Sequence, residues 1–317
     1  MRAKRYISLL TVVLALGVIL FLFTGVEWTY IDYAMKNRIP KIIAMLLSAF
    51  CIGGASVVFQ TITNNHILTP SVLGLDSLYV LVQTFIIFVL GSTSPLIVNK
   101  QYNFMLALAV MVVASVGLYK VLFERGKGDI MFLLLVGMIF GTLFGSLSSF
   151  MQRIIDPNEF LALQNNLFAS FNNIQTPILT SAVILLLIVI PFVWDDLKFL
   201  DVMTLGRDHA INLGVDYDRI VKKLIVIVTI LISISTALIG PITFLGLLVV
   251  NLARQILKTY KHSYLISGAM LLGAITLLYG QLIVEQVLGF KTTLSVVVNL
   301  IGGLYFIYLL LKESRQA

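Results

Sequence analysis

The chain has 317 residues, of which 59% are hydrophobic and only 12% charged, with a formal net charge of +7 and a mean hydropathy of +1.01. A soluble domain carries about 25% charged residues, so no single globular core can hide this much apolar surface, and the bilayer must be the solvent for most of it. The positive charge does not indicate nucleic acid, because the basic residues form no patch and sit at the ends of apolar runs.

The first run follows Met1-Arg2-Ala3-Lys4-Arg5 and continues to about Gly25. It is long for a signal peptide and closes on bulky Phe21-Leu22-Phe23 instead of a small-x-small cleavage site, so it is expected to remain as a first transmembrane helix starting in the cytoplasm. A helix needs about 20 apolar residues to cross the hydrocarbon core. On that measure the spans are 7–25, 42–61, 72–91, 103–122, 131–151, 177–194, 220–239, 242–257, 264–284 and 294–311. Only Gly240-Pro241 separates the seventh from the eighth. Pro241 suits the first turn of a new helix after a reversal, giving ten spans, or nine if the turn is only a kink.

The charges support ten spans with both termini cytoplasmic. Arg2, Lys4, Arg5, Lys120, Arg125, Lys127, Lys198, Arg207, Arg219, Lys222, Lys223, Arg254, Lys258, Lys261, Lys312 and Arg315 then lie inside, against Lys36, Arg38, Lys41, Lys100, Arg153 and Lys291 outside. Two connections exceed simple turns. Residues 153–176 carry Phe160, Leu161, Leu163, Leu167 and Phe168 among amides, the pattern of a short amphipathic helix at the outer interface. Residues 195–217 form the largest inside piece. The expected class is an all-α, polytopic integral membrane bundle, with residues 1–317 forming one domain.

Enzymatic motifs are absent. Gly126-Lys127-Gly128-Asp129 lacks the spacing of a phosphate loop. His66, His209 and His262 show no metal-ligand spacing and are expected as ordinary loop or interface residues, so no metal site is expected. Cys51 lies inside an apolar run, as a small hydrophobe would. The interiors of the spans hold no Asp, Glu, Lys, Arg or His, whereas ion-coupled carriers bind their coupling ion at membrane depth. Energy for uphill transport would therefore have to arrive through another protein. Neutral polar residues do occur near or at that depth: Gln60, Thr61, Thr63, Asn64, Asn65, Gln83, Thr142, Ser146, Ser148, Ser149 and Asn299. They suit either helix–helix hydrogen bonding or the lining of a path for a large hydrophilic solute.

The inside piece contains Leu205-Gly206-Arg207-Asp208-His209-Ala210-Ile211-Asn212-Leu213-Gly214. Its glycines bracket about two helical turns, with Leu205, Ala210, Ile211 and Leu213 as an apolar side and Arg207, Asp208 and Asn212 as polar contacts. Such a helix can seat in a cleft of a partner or be a solvated loop.

With these residues in view, the chain resembles the FecCD-type permeases of bacterial ATP-binding-cassette importers for ferric siderophores, haem and vitamin B12. The resemblance is carried by Leu205-Gly206, Ala210 and Leu213-Gly214; by Gly240-Pro241-Ile242-Thr243-Phe244-Leu245-Gly246-Leu247 with Asn251-Leu252-Ala253-Arg254; by Arg38-Ile39-Pro40-Lys41 with Gln60, Asn65, Leu68, Pro70, Leu73 and Gly74; and by Gly302-Gly303 with Phe306. It implies a type II importer permease of ten spans, paired with a second permease around a central path. Two ATPase subunits that bind ATP and Mg²⁺ would lie below, and an extracytoplasmic binding protein above, in the bacterial cytoplasmic membrane. The chain itself would bind no cofactor.

The resemblance further implies coupling to the ATPase through about 195–219, above all Leu205, Gly206, Arg207, Ala210, Leu213 and Gly214. Arg38 and Lys41 would meet acidic residues of the binding protein. A cytoplasmic gate would lie at 124–131, including Gly128 and Asp129, and Gln60, Asn64, Asn65, Thr142 and Ser146 would belong to the path. Asn64 to Tyr79 look closest to the catecholate-siderophore branch, in which two different permeases often pair, so a heterodimer is favoured. The alternatives are haem or vitamin B12 as cargo, or an ion-coupled carrier acting alone.

Overall fold

Apolar stretches without enough polar side chains to replace water must satisfy their backbone internally, and helices do so. The computed structural model describes residues 2–125, 130–168, 170–172 and 174–314. Gly128 and Asp129 of the expected gate lie outside the described residues. Among the described residues the helices are α1 (Arg2–Phe23), α2 (Ile31–Ile62), α3 (Leu75–Leu90), α4 (Pro95–Val98), α5 (Lys100–Arg125), α6 (Ile130–Ile154), α7 (Pro157–Leu167), α8 (Thr176–Trp194), α9 (Leu200–Met203), α10 (Arg207–Asn212), α11 (Tyr217–Ile239), α12 (Leu245–Leu257), α13 (His262–Gln286) and α14 (Leu294–Ser314). Eight of them (α1, α2, α5, α6, α8, α11, α13 and α14) are long and apolar enough to cross a membrane, and α3 and α12 are shorter apolar helices. These ten helices coincide with the ten apolar stretches expected from the sequence, eight of them long enough to span by themselves. The amphipathic segment is α7, whose Leu163 is fully buried.

α2 is the central post. In its most apolar stretch 83% of the residues are buried, and it packs along α13 and α11. The approach to α13 is close because small residues face each other. A Cβ on Gly53 would lie 3.0 Å from the Ala269 backbone, and one on Gly273 would lie 3.2 Å from the Ala49 methyl. Small residues at such crossings let backbones approach and raise van der Waals contact in lipid. α2 also begins at Ile31, well before the expected span, so Arg38, Pro40 and Lys41 are helical.

Pro241 does not open the eighth span as expected. Gly240, at φ 92°, ends α11, and α12 starts only at Leu245. A 13-residue helix is about 20 Å long, short of the roughly 30 Å hydrocarbon core, so residues 240–244 are irregular backbone inside the protein. The turn is held by side chains. Thr243 donates to the Asp76 carboxylate at 2.9 Å, and the Phe244 N–H donates to Asn299 at 3.4 Å. Phe244 lies over Gly302 and against the Phe306 ring, with centroids 6.0 Å apart. Asp76 belongs to the first turn of α3, whose orphan N–H groups favour a carboxylate. The starts of the two short helices are thus clasped together. Thr243→Val is expected to cost about 1–3 kcal/mol, because the buried carboxylate loses a donor. The measurement is the thermal midpoint in detergent; an unchanged midpoint would remove the clasp.

Candidate functional site

Between α8 and α11 the chain leaves the bundle as a 3₁₀ turn (Leu197–Phe199), α9 and α10. Gly206 at φ 95° and Gly214 at φ 84° bracket α10 in backbone conformations that suit glycine. α10 has six residues, fewer than the two turns expected. Leu200, Met203, Ala210 and Val215 turn inward and are buried. Ala210, expected among the coupling residues, has no exposed surface, and its methyl packs against its own chain. The outward face offers Leu205, Ile211 and Leu213, exposed by 57%, 43% and 64%. Arg207 flanks them and forks onto Asp218 at 3.2 and 2.9 Å, which raises its guanidinium above the usual value. Lys223 pairs with Asp196 at 2.6 Å at the root of the segment. An exposed apolar group of this kind, rimmed by charge, suits docking into a cleft.

The polar residues ending α2 are engaged in folding the chain. Gln60 is fully buried and donates to the His66 carbonyl at 2.8 Å, so it presents no surface to a path. Asn64 sits at φ 46°, the left-handed position that ends a helix, and the Asn65 side chain accepts from the Ile67 N–H at 2.9 Å. Asn251 of α12 donates to the same His66 carbonyl at 3.0 Å. His262, expected in a loop or interface, is instead buried at the start of α13. Gln83, another candidate for the path, is buried in a reciprocal amide pair with Asn103 at 2.9 and 3.1 Å.

Thr142 and Ser146 remain on a free surface. α6 lays Gly137 and Gly141 against Leu73 and Gly74, where added Cβ atoms would lie 3.1 and 3.2 Å from the opposing Cα atoms. Its other side exposes Thr142, Ser146 and Ser149 near Leu135 and Met138. The Thr142 hydroxyl donates to the Met138 carbonyl at 2.9 Å, leaving its oxygen outward. The Gly137-xxx-Gly141 spacing on α6 could have indicated the packed side, since both glycines meet a neighbour, whereas Gly145 meets none within 4 Å.

At the opposite end, both residues expected to meet a partner protein are already engaged. The Arg38 guanidinium lies over the Phe21 ring at 5.7 Å and donates to the Phe21, Leu22 and Thr24 carbonyls, capping α1. Lys41 pairs with Glu285 at 3.0 Å, their side chains 15% and 7% exposed, and Gln281 donates to the same carboxylate at 2.9 Å. Around them lies a groove of about 520 Å³ bordered by Tyr30, Tyr33 and Phe290, all exposed.

Comparison with known proteins agrees over the whole length. Residues 6–312 match the model of the FecCD transport family. The chain is 53% identical to the petrobactin import system permease protein YclO of Bacillus subtilis (strain 168), covering 100% of both chains. It is 36% identical to the petrobactin import system permease protein FatC of Bacillus anthracis, over 98% of this chain and 90% of the relative. YclN, another petrobactin import permease of Bacillus subtilis (strain 168), is 25% identical over 99% of each. Among solved structures, a metal-chelate type ABC transporter in an inward-facing conformation matches with a TM-score of 0.79. It is 22% identical, and the match covers 98% of this chain and 99% of that one.

Proposed function

The chain belongs to the FecCD transport family and is a permease subunit of an ABC importer; on that premise we propose that its cargo is a ferric siderophore of the catecholate class, with petrobactin the first to test. The observation that carries this reading is the full-length similarity to permeases of petrobactin import. The experiment is uptake of iron-labelled petrobactin by cells lacking the chain. Loss of uptake, restored by the gene, is the expected result. Unchanged uptake, with rescue of growth on haem or cobalamin instead, would move the cargo to another branch.

In the proposed mechanism the basic end of the bundle, with Arg2, Lys4, Arg5 and the α9–α10 segment, faces the cytoplasm. Leu205, Ile211 and Leu213 seat in a cleft of a separate ATPase, which binds ATP and Mg²⁺. The Thr142–Ser146–Ser149 face of α6 meets a second permease, and between them runs a neutral polar path. Its exposed α6 side offers no carboxylate over these turns, so an anionic ferric catecholate meets no like charge there. Bacillus subtilis has two named permeases of petrobactin import, both similar to this chain, which supports a heterodimer. An extracytoplasmic binding protein docks at the far end, where Tyr30, Tyr33 and Phe290 are exposed. Closure of the ATPase on ATP pushes the α9–α10 segment and alternates the access of the path.

Leu213→Asp is expected to reduce both ATPase co-purification and uptake by about tenfold or more, the scale of losing one apolar anchor of an interface. Folding should survive, since Leu213 is 64% exposed. Full recovery of ATPase with this variant would place the contact elsewhere. Ala210→Arg should instead lower the thermal midpoint, because its side chain has no room.

A further inference from the structure

Besides its inward apolar residues, the α9–α10 segment is tied to the membrane bundle by a buried imidazole. His262, the first residue of α13, is 1% exposed. Its Nδ1 lies 2.6 Å from the Asp201 Oδ1 of α9, and its backbone N–H donates to the same oxygen at 2.8 Å. Nε2 lies 2.9 Å from the hydroxyl of Thr61, in the last turn of α2. That hydroxyl is itself within 2.8 Å of the Val57 carbonyl. A carboxylate can only accept, so Nδ1 carries its proton toward Asp201, and Nε2 is left to meet the hydroxyl. The Asp201 carbonyl in turn accepts from the Thr204 hydroxyl at 2.7 Å, at the turn leading into α10. α10 packs back on α9. One ring therefore joins the segment to the ends of two spans, one of them the central post.

We infer that Asp201–His262–Thr61 is a positioning joint for energy coupling, transmitting displacement of α9 and α10 into the adjacent ends of α2 and α13. Apolar contacts can slide over one another. A short, directional polar network around a rigid ring has one good geometry, and although the Asp201 carboxylate is 42% exposed, the ring and the Thr61 hydroxyl are buried, where breaking their bond is costly. The three elements are thus constrained to move together. The inference rests on the proposed docking of the ATPase at α10.

The test uses the complete importer reconstituted in liposomes, with cargo uptake and ATP hydrolysis measured in the same vesicles. Asp201→Ala and Thr61→Val are compared with Thr61→Ser, which keeps the hydroxyl. Both cutting variants are expected to retain the ATPase and to hydrolyse ATP. Cargo moved per ATP should fall about 5–150-fold, the usual range of coupling between two sites. Thr61→Ser should restore it. If uptake and hydrolysis fall in the same proportion, the joint serves folding only and the inference is overturned; a native ratio in both cutting variants overturns it too. If Asp201→Ala does not fold, the near-isosteric Thr61→Val decides. If no ATPase co-purifies with the unaltered chain, the proposed function fails at that step and this inference fails with it.

Discussion

Leucine in place of Gly53 is expected to leave almost no folded permease. The Cβ of any residue there would lie 3.0 Å from the carbonyl carbon and oxygen of Ala269 and 3.1 Å from the Met270 nitrogen. These are backbone atoms of α13, so no side chain can rotate away and the helix itself would have to shift. Overpacking a tight crossing costs about 1–3 kcal/mol and sometimes more. Here the displaced helix would also lose the contact of Gly273 with Ala49 and the bond from His262 to Thr61. Gly117 of α5 is the control, with nothing within 4 Å of its would-be Cβ. Gly117→Leu should elute as a monodisperse species with near-normal uptake, whereas Gly53→Leu should aggregate or be degraded, with uptake at background. Similar behaviour of the two variants in size-exclusion chromatography would remove the close α2–α13 approach from the account.

The second large effect concerns Lys41 and Glu285. Removing one partner of a buried ion pair leaves an uncompensated charge and costs about 3–5 kcal/mol, while replacing both by neutral groups of similar size is often close to neutral. With side chains 15% and 7% exposed, this pair belongs near the buried end of that range. Lys41→Met alone should therefore lower the thermal midpoint and uptake strongly. Lys41→Met combined with Glu285→Gln should recover most of both, since Gln281 can still bond the new amide. The cycle also separates two roles for Lys41. A residue whose charge meets an acidic partner protein stays defective when Glu285 is neutralised, and that outcome would return Lys41 to the docking surface.

Both pairs show why local reading stops where it does. Glu285 follows an apolar stretch in the sequence, yet nothing nearby says that its partner is Lys41, 244 positions away. The same holds for Thr61 and His262, separated by 201. Gln60 has the chemistry of a path residue and the position of a core one, and only packing distinguishes them. Ala210 shows the same ambiguity on α10, because a stretch of six helical residues has too few turns to declare which side faces the bundle.

The sequence by itself determined the class, the ten apolar stretches and the long connection between the sixth and seventh of them. The bilayer makes these legible, since each crossing must contain enough consecutive apolar residues and the charges must stay at the ends. The tertiary structure alone decided which helix is central, where α3 and α12 begin, and which polar groups are engaged and which are free. Those outcomes depend on pairings between helices far apart in the chain. In lipid every helix is equally apolar to its surroundings, so close fits of small residues and a few buried hydrogen bonds choose the neighbours.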